Sequence, residues 1–376
     1  MKVVVVGAGL GGLRTAESLR DKGFDGEIVL LGEEQHLPYD RPPLSKQVLR
    51  GEREPIFLRA EGDYPELELD LRLGVEVTGL DLLAREVRTH AGSVAFDRLV
   101  IATGATPRRL PGAPGRVLRT LDDCLALSPY LREGARIVIV GAGLIGCEVA
   151  ASARAKGAEV QVVDVLPRPL IRVLGTTVAD RVLALHEEHG VQFHLGVGVE
   201  SATSTGLVLA DGTALEAEVV LEAMGVTPTT AWLEGSGLSV DNGVVCDQSG
   251  QAAEDVWAVG DDARWGDHRF EHWTSAAEQA SVVAGAVLGE PAPLALAPYW
   301  WSDQYDVKLQ GLGLPAADDE VLMLDVGPRS RPLALYSRAG RLTGVVGFSA
   351  AAFVLRLREA VRDGVALEDA VAALES

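Results

Sequence analysis

The sequence predicts an α/β protein with two open parallel sheets flanked by helices, followed by a small α+β domain. Three observations predict it. A β-branched run leading into a glycine-rich turn occurs twice, as KVVVVGAGLGG (Lys2–Gly12) and RIVIVGAGLIG (Arg136–Gly146), and each is followed by a helical pattern. Two later segments also echo each other. DRLVIATGATPRRLPG (Asp97–Gly112) and AEVVLEAMGVTPTT (Ala217–Thr230) are each an apolar strand, then a glycine, then a proline three residues on. Finally, hydrophobic residues make up 47% of the 376 residues and 42 are glycine, which suits strands buried on both faces of a parallel sheet.

The first strand ends in a turn carrying Gly7, Gly9, Leu10, Gly11 and Gly12; its repeat carries Gly141, Gly143, Leu144, Ile145 and Gly146. Such a turn removes Cβ atoms where backbone must approach a pyrophosphate, and the helix that follows offers free N–H groups and a positive dipole end. One copy is weak, because the same turn also serves to pack helix on sheet. Two copies, each with an acid about 20 residues beyond, are far more specific for Rossmann-like dinucleotide-binding units. The acids follow second strands at Glu27–Leu31 and Glu159–Val163: Glu33 with Glu34, and Asp164. Glu33 and Asp164 are expected to accept hydrogen bonds from ribose hydroxyls. A carboxylate at Asp164 repels a 2′-phosphate and so favours NADH, while nearby Arg168 and Arg172 leave NADPH open. Two such sites in one chain suggest FAD held at the first and NADH at the second, with hydride passing from nicotinamide to flavin N5.

The two echoing segments read as last strands followed by crossovers between domains. DVWAVGDDARW (Asp255–Trp265) is a strand ending in Gly-Asp, which places a carboxylate at a sheet's carboxyl edge. A helix is expected over Ser275–Gly289 and a linker over Glu290–Pro298. Strands are expected at Val307–Gln310, Glu320–Asp325, Pro332–Ser337 and Leu342–Phe348, then one amphipathic helix over Ala351–Arg362. The domains expected are 1–110 and 229–292 for FAD, 111–228 for NAD, and 293–376 as a C-terminal interface domain.

A net charge of −20 argues against a nucleic-acid partner or an anionic membrane surface. Cys124, Cys147 and Cys246 form no CxxC pair, which suits a reducing cytoplasm. No run of about 18 apolar residues suggests a membrane span. The start resembles a signal peptide, but its pattern recurs inside the chain, so none is expected. The spacing of HEEH (His186–His189) allows a metal pair, but a solvated helix face is expected and no metal site. Cys147 reads as a small buried residue.

Taken together, GAGLGG, LPYDRPPLSK, IATGATP, GAGLIGCE, VWAVGDDAR, FEHWTSAAEQA and PYWWSDQYDVKLQG resemble the oxygenase-coupled, FAD- and NADH-dependent ferredoxin reductases. That resemblance covers essentially the whole chain and implies a glutathione-reductase-like fold. It implies that Arg41 faces the FAD pyrophosphate and that Lys46 reaches the isoalloxazine near N5, paired with Glu148. Pro42 and Pro43 would stiffen this segment. It also implies FAD contacts from Val77 to the adenine, from Ala102 in IATGATP, from Arg119 at the domain crossover, and from Asp261 to the ribityl chain. Glu271, His272, Trp273 and Trp301 are implied to line the nicotinamide–flavin pocket; Trp300 and Trp301 also read as interface packing. Lys46, Glu148 and Trp273 are the catalytic candidates. Arg172 and Gly225 are assigned to the nicotinamide nucleotide. WTSAAEQ departs from the family's usual run, which carries an asparagine near its middle.

Related disulfide reductases carry a redox cysteine pair where this chain has Arg-Pro-Pro-Leu-Ser-Lys. Without that dithiol, electrons are expected to leave the flavin singly, to a [2Fe–2S] ferredoxin serving a cytochrome P450 or Rieske-type oxygenase. Docking an acidic ferredoxin to so acidic a chain needs a local basic patch. The alternatives are an NADH oxidase or rubredoxin reductase, or an NADH-sensing interaction protein of the apoptosis-inducing-factor type. Monomer and homodimer both stay open.

Overall fold

A computed structural model describes residues 1–112, 115–294 and 297–375. They form two compact units. The first comprises Met1–Asp40, Ile56–Thr106 and Thr227–Ala295; the second comprises Arg41–Pro55, Pro107–Val226 and Leu296–Ser376. Of the expected linker at Glu290–Pro298, Ala295 and Leu296 lie outside the described residues.

The first unit is built on a six-stranded sheet. Its order is Gln251–Ala253, Val256–Ala258, Arg98–Ile101, Lys2–Val6, Glu27–Leu31, Leu69–Arg72. Lys2–Val6 pairs in parallel with both neighbours, so Val3, Val4 and Val5 are wholly buried. This is why that strand is a continuous valine run rather than an alternating one. The helix Leu10–Asp21 buries Leu13, Ala16 and Leu19 and packs beside the helix Trp273–Val287. Alanines at 276, 280 and 284 line the buried face of the second helix. It starts two residues earlier than expected, because His272 is the last residue with extended backbone, at φ −114° and ψ 140°.

The repeat forms a four-stranded parallel sheet in the second unit: Gln192–Leu195, Glu159–Asp164, Arg136–Val140, Val219–Glu222. The helix Leu144–Ala155 follows its glycine turn. The tail supplies a five-stranded antiparallel sheet: Tyr299–Gln304, Val307–Gly313, Arg341–Phe348, Arg331–Arg338, Glu320–Val326. Its first strand was not expected, although it opens with three aromatics, Tyr299, Trp300 and Trp301, a residue type enriched in strands. The single helix expected over Ala351–Arg362 is two, Ala351–Arg356 and Arg358–Asp363. They are separated at Leu357 (φ −86°, ψ 6°), and a third follows at Leu367–Glu375. Val354, Leu357 and Val361, spaced i, i+3 and i+7, keep one helical face across the break and reach one apolar core.

HEEH corrects an expectation. It ends the helical stretch Ile171–Glu188, which is broken at Gly175, where φ is 65°. His186 lies one helical turn on from the buried Val182 and two from Val178, so it shares their inward face and is fully buried, while Glu187, Glu188 and His189 face solvent. Among the described residues no cluster of His, Cys, Asp or Glu could hold a metal, and no helix is long and apolar enough to cross a membrane.

Candidate functional site

Each unit carries a glycine cradle, and the two match almost atom for atom. In the first, Gly7 has φ 111°, and a Cβ there would lie 2.0 Å from the Ala102 carbonyl oxygen; a Cβ on Gly12 would lie 1.9 Å from the Gly7 oxygen. In the second, Gly141 has φ 110° with Ala223 O at 2.3 Å, and Gly146 has Gly141 O at 2.0 Å. These glycines are required by close packing of turn, helix and strand. The middle ones differ. A Cβ on Gly9 or Gly143 would meet nothing within 4 Å, and neither helix start has a side-chain cap. Uncapped N–H groups beside a bare backbone surface fit a pyrophosphate.

In the first unit, Ala102 N donates to Val6 O at 2.7 Å, joining the IATG segment to the first strand. Glu33 is exposed beyond the second strand, and Glu34 accepts from Tyr39 Oη at 2.5 Å. Val77 is half-buried at the start of the strand Val77–Asp81. Trp273 donates its indole N–H to Asp40 Oδ1 at 2.7 Å, and Glu271 takes Arg269 at 2.5 Å. Surrounding protein lowers the His272 pKa, with the charge of Asp261 opposing. Next to Asp261, whose backbone carbonyl accepts from Arg269 Nη1, Asp262 is fully buried. Its Oδ2 accepts from Thr103 Oγ1 at 2.6 Å and from Gly104 N at 3.0 Å, and its Oδ1 has no partner. Burial pushes its pKa up to about 7 against those two hydrogen bonds. Sequence reasoning missed Asp262, because Asp261 alone satisfies the Gly-Asp pattern.

In the second unit, Asp164 Oδ2 accepts from Ala142 N at 2.7 Å and Oδ1 from Leu166 N at 2.8 Å. A carboxylate has lone pairs to spare for a ribose hydroxyl. Of the two nearby arginines, Arg168 is paired with Asp180, while Arg172 is exposed. Gly225 has φ 86° and open space at its Cβ position.

The basic segment also belongs to this unit. Arg41 donates to the Arg119 carbonyl oxygen at 2.6 Å. A short 3₁₀ turn, Pro42–Ser45, brings Lys46 inward. There Lys46 Nζ donates to Glu148 Oε2 at 2.7 Å and Pro42 O at 3.0 Å. Ser45 Oγ donates to the same Glu148 oxygen at 2.5 Å, and Ser302 Oγ to the other at 2.7 Å. Lys46 and Glu148 are 4% and 3% exposed, so this is a buried, fully hydrogen-bonded ion pair, the arrangement that makes burial of charge tolerable. Ser45 and Ser302 were not anticipated; both sit inside motifs whose larger residues draw attention first. Trp300 and Trp301 separate by strand alternation. Trp300 is buried against Leu174, Val178 and Tyr336, whereas Trp301 is half-buried beside Tyr299.

The pyridine nucleotide-disulphide oxidoreductase family matches residues 1–280, and the reductase C-terminal family matches 299–376. The chain belongs to this oxidoreductase family. It is an FAD-dependent enzyme that uses NAD(H), and its fold is the one the sequence predicts. It is 36% identical to rhodocoxin reductase of Rhodococcus erythropolis, over 85% of this chain and 79% of that one. It is 38% identical to the ferredoxin–NAD(+) reductase subunit of the benzene 1,2-dioxygenase system of Pseudomonas putida, over 83% and 80%. Among solved structures, the covalent putidaredoxin reductase–putidaredoxin complex matches with a TM-score of 0.92 at 31% identity, covering 100% of this chain and 99% of that chain.

Proposed function

We propose that the chain is an NADH-dependent ferredoxin reductase that delivers single electrons to a [2Fe–2S] ferredoxin of an oxygenase system in the cytoplasm. The observation that carries this reading is the combination of two dinucleotide cradles with the absence of a thiol relay. All three cysteines are buried and unpaired, and burial pushes each thiol's pKa up, so none is reactive. FAD, when bound, supplies hydride acceptance and one-electron release.

The chain's own residues divide the remaining work. Residues 1–110 and 229–292 hold FAD: Gly7 to Gly12 and Arg41 at the pyrophosphate, Glu33 at the ribose with Glu34 beside it, Val77 at the adenine, Asp261 at the ribityl chain and Ala102 as a further contact, while Arg119 contributes from the crossover in 111–228. Residues 111–228 hold NADH, through Gly141 to Gly146, Asp164, Arg172 and Gly225. Glu271, His272, Trp273 and Trp301 shape the nicotinamide pocket. The Lys46–Glu148 pair fixes a donor at flavin N5, and 293–376 forms an interface domain.

The test is steady-state turnover with NADH, a purified [2Fe–2S] ferredoxin and cytochrome c. Cytochrome c reduction that rises with ferredoxin concentration, over slow oxygen uptake, supports the reading. Equally fast NADH consumption with oxygen alone would replace it with an oxidase.

A further inference from the structure

Glu148 is held by more than its lysine. Behind Ser302, a run of polar side chains leads away from the ion pair through the interior of the second unit. Ser302, Gln304 and His186 are each fully buried. Gln304 Nε2 donates to Ser302 Oγ at 3.2 Å. His186 Nε2 lies 2.9 Å from Gln304 Oε1, and Tyr305 Oη lies 3.0 Å from His186 Nδ1. His189 stacks on the Tyr305 ring at 3.6 Å.

The chemistry of each group fixes the direction of every bond. Ser302 has one hydroxyl hydrogen and gives it to Glu148, so towards Gln304 it accepts. Gln304 Oε1 can only accept, so His186 carries its proton on Nε2. His186 Nδ1 is then bare and accepts from Tyr305. All four links therefore point their hydrogens towards the Glu148 carboxylate, and a chain polarised in one sense strengthens its last bond. The arrangement needs a neutral imidazole, which burial supplies by lowering the His186 pKa to about 4.

We propose that Ser302, Gln304 and His186 are positioning residues that hold the Glu148 carboxylate in place and aimed at Lys46. The proposal deepens, and rests on, the reading that the Lys46–Glu148 pair serves the FAD. A purely structural role, tying the Ile171–Glu188 stretch to the Tyr299–Gln304 strand, would leave Glu148 unaffected when the chain is cut.

The test uses the flavin-loaded protein with Ser302→Ala, which removes one hydroxyl and little volume, and with His186→Leu. Infrared difference spectroscopy follows the Glu148 carboxylate stretching band, identified by its loss in Glu148→Gln. Both variants are expected to shift the frequency of that band, because each weakens the hydrogen bond that Ser302 gives to Glu148 Oε1. A band that stays in place in both overturns the proposal, whatever happens to thermal stability. A second readout is the ratio of reduced to oxidised flavin in equilibrium with a reference dye. Ser302→Ala should change it by about threefold or more, and the change should vanish in a Glu148→Gln background. The same change in that background would show that Ser302 acts without Glu148 and would also overturn the proposal. If Glu148→Gln alone leaves the ratio unaltered, the flavin role of the pair fails, while the infrared result still decides whether the chain holds Glu148.

Discussion

Gly9 and Gly143 are set apart from the glycines around them because nothing in the protein needs their missing Cβ atoms. Their backbone is extended at φ −83° and −79°, a conformation any residue adopts. A side chain there is tolerated by the fold and obstructs only what binds. Gly143→Val is therefore expected to leave thermal unfolding and FAD content unchanged while weakening NADH binding at least about tenfold, a difference of about 1.4 kcal/mol, as read by titration of the oxidised enzyme. Gly146→Ala, which would press on Gly141 O, is expected to fail by misfolding instead. Asp262 makes a different prediction. Its folded pKa, about 7, lies above the ordinary 3.8, so between those values the folded state holds a proton that the unfolded state has lost. Stability from this group is complete below pH 3.8 and is lost as pH rises through 7. Asp262→Asn should flatten that fall, so urea unfolding at pH 5 and pH 8 should differ less in the variant than in the parent.

At the scale of elements, the C-terminal sheet depends on a close contact between neighbouring strands. A Cβ on Gly311 would lie 2.1 Å from Trp300 Cε2, and the two residues face each other across the antiparallel pair. Gly311→Ala must displace the buried indole, with an expected cost of about 1–3 kcal/mol in chemical denaturation. The parallel strands and glycine turns were legible in the sequence because each is local: a β-branched run, a turn, a helical period. The Tyr299–Gln304 strand and the paired helices after Ala351 were less so. Their form is set by what they pack on, and the break at Leu357 has no glycine or proline to announce it. His186 was misread for a related reason. A short polar run suggests solvent, but the helical phase set by Val178 and Val182 turns its first residue inward.

At the scale of the molecule, the grouping of Arg41–Pro55 and Leu296–Ser376 with Pro107–Val226 rests on contacts between residues far apart in sequence, which no local pattern encodes. Lys46 and Glu148 could be named from motifs; that Ser45, Ser302, Gln304 and His186 gather behind them could not, because hydroxyl and amide side chains carry no spacing signal. The central claim is that this assembly takes hydride from NADH onto bound FAD without any thiol taking part. The measurement that tests it most directly is anaerobic mixing of the flavin-loaded protein with one equivalent of NADH, and separately NADPH, while recording the flavin absorbance. Full bleaching by NADH, much slower bleaching by NADPH, and no change in either after thiol alkylation are the predicted results. A protein that takes up no FAD, or a flavin that NADH leaves oxidised, would contradict the account.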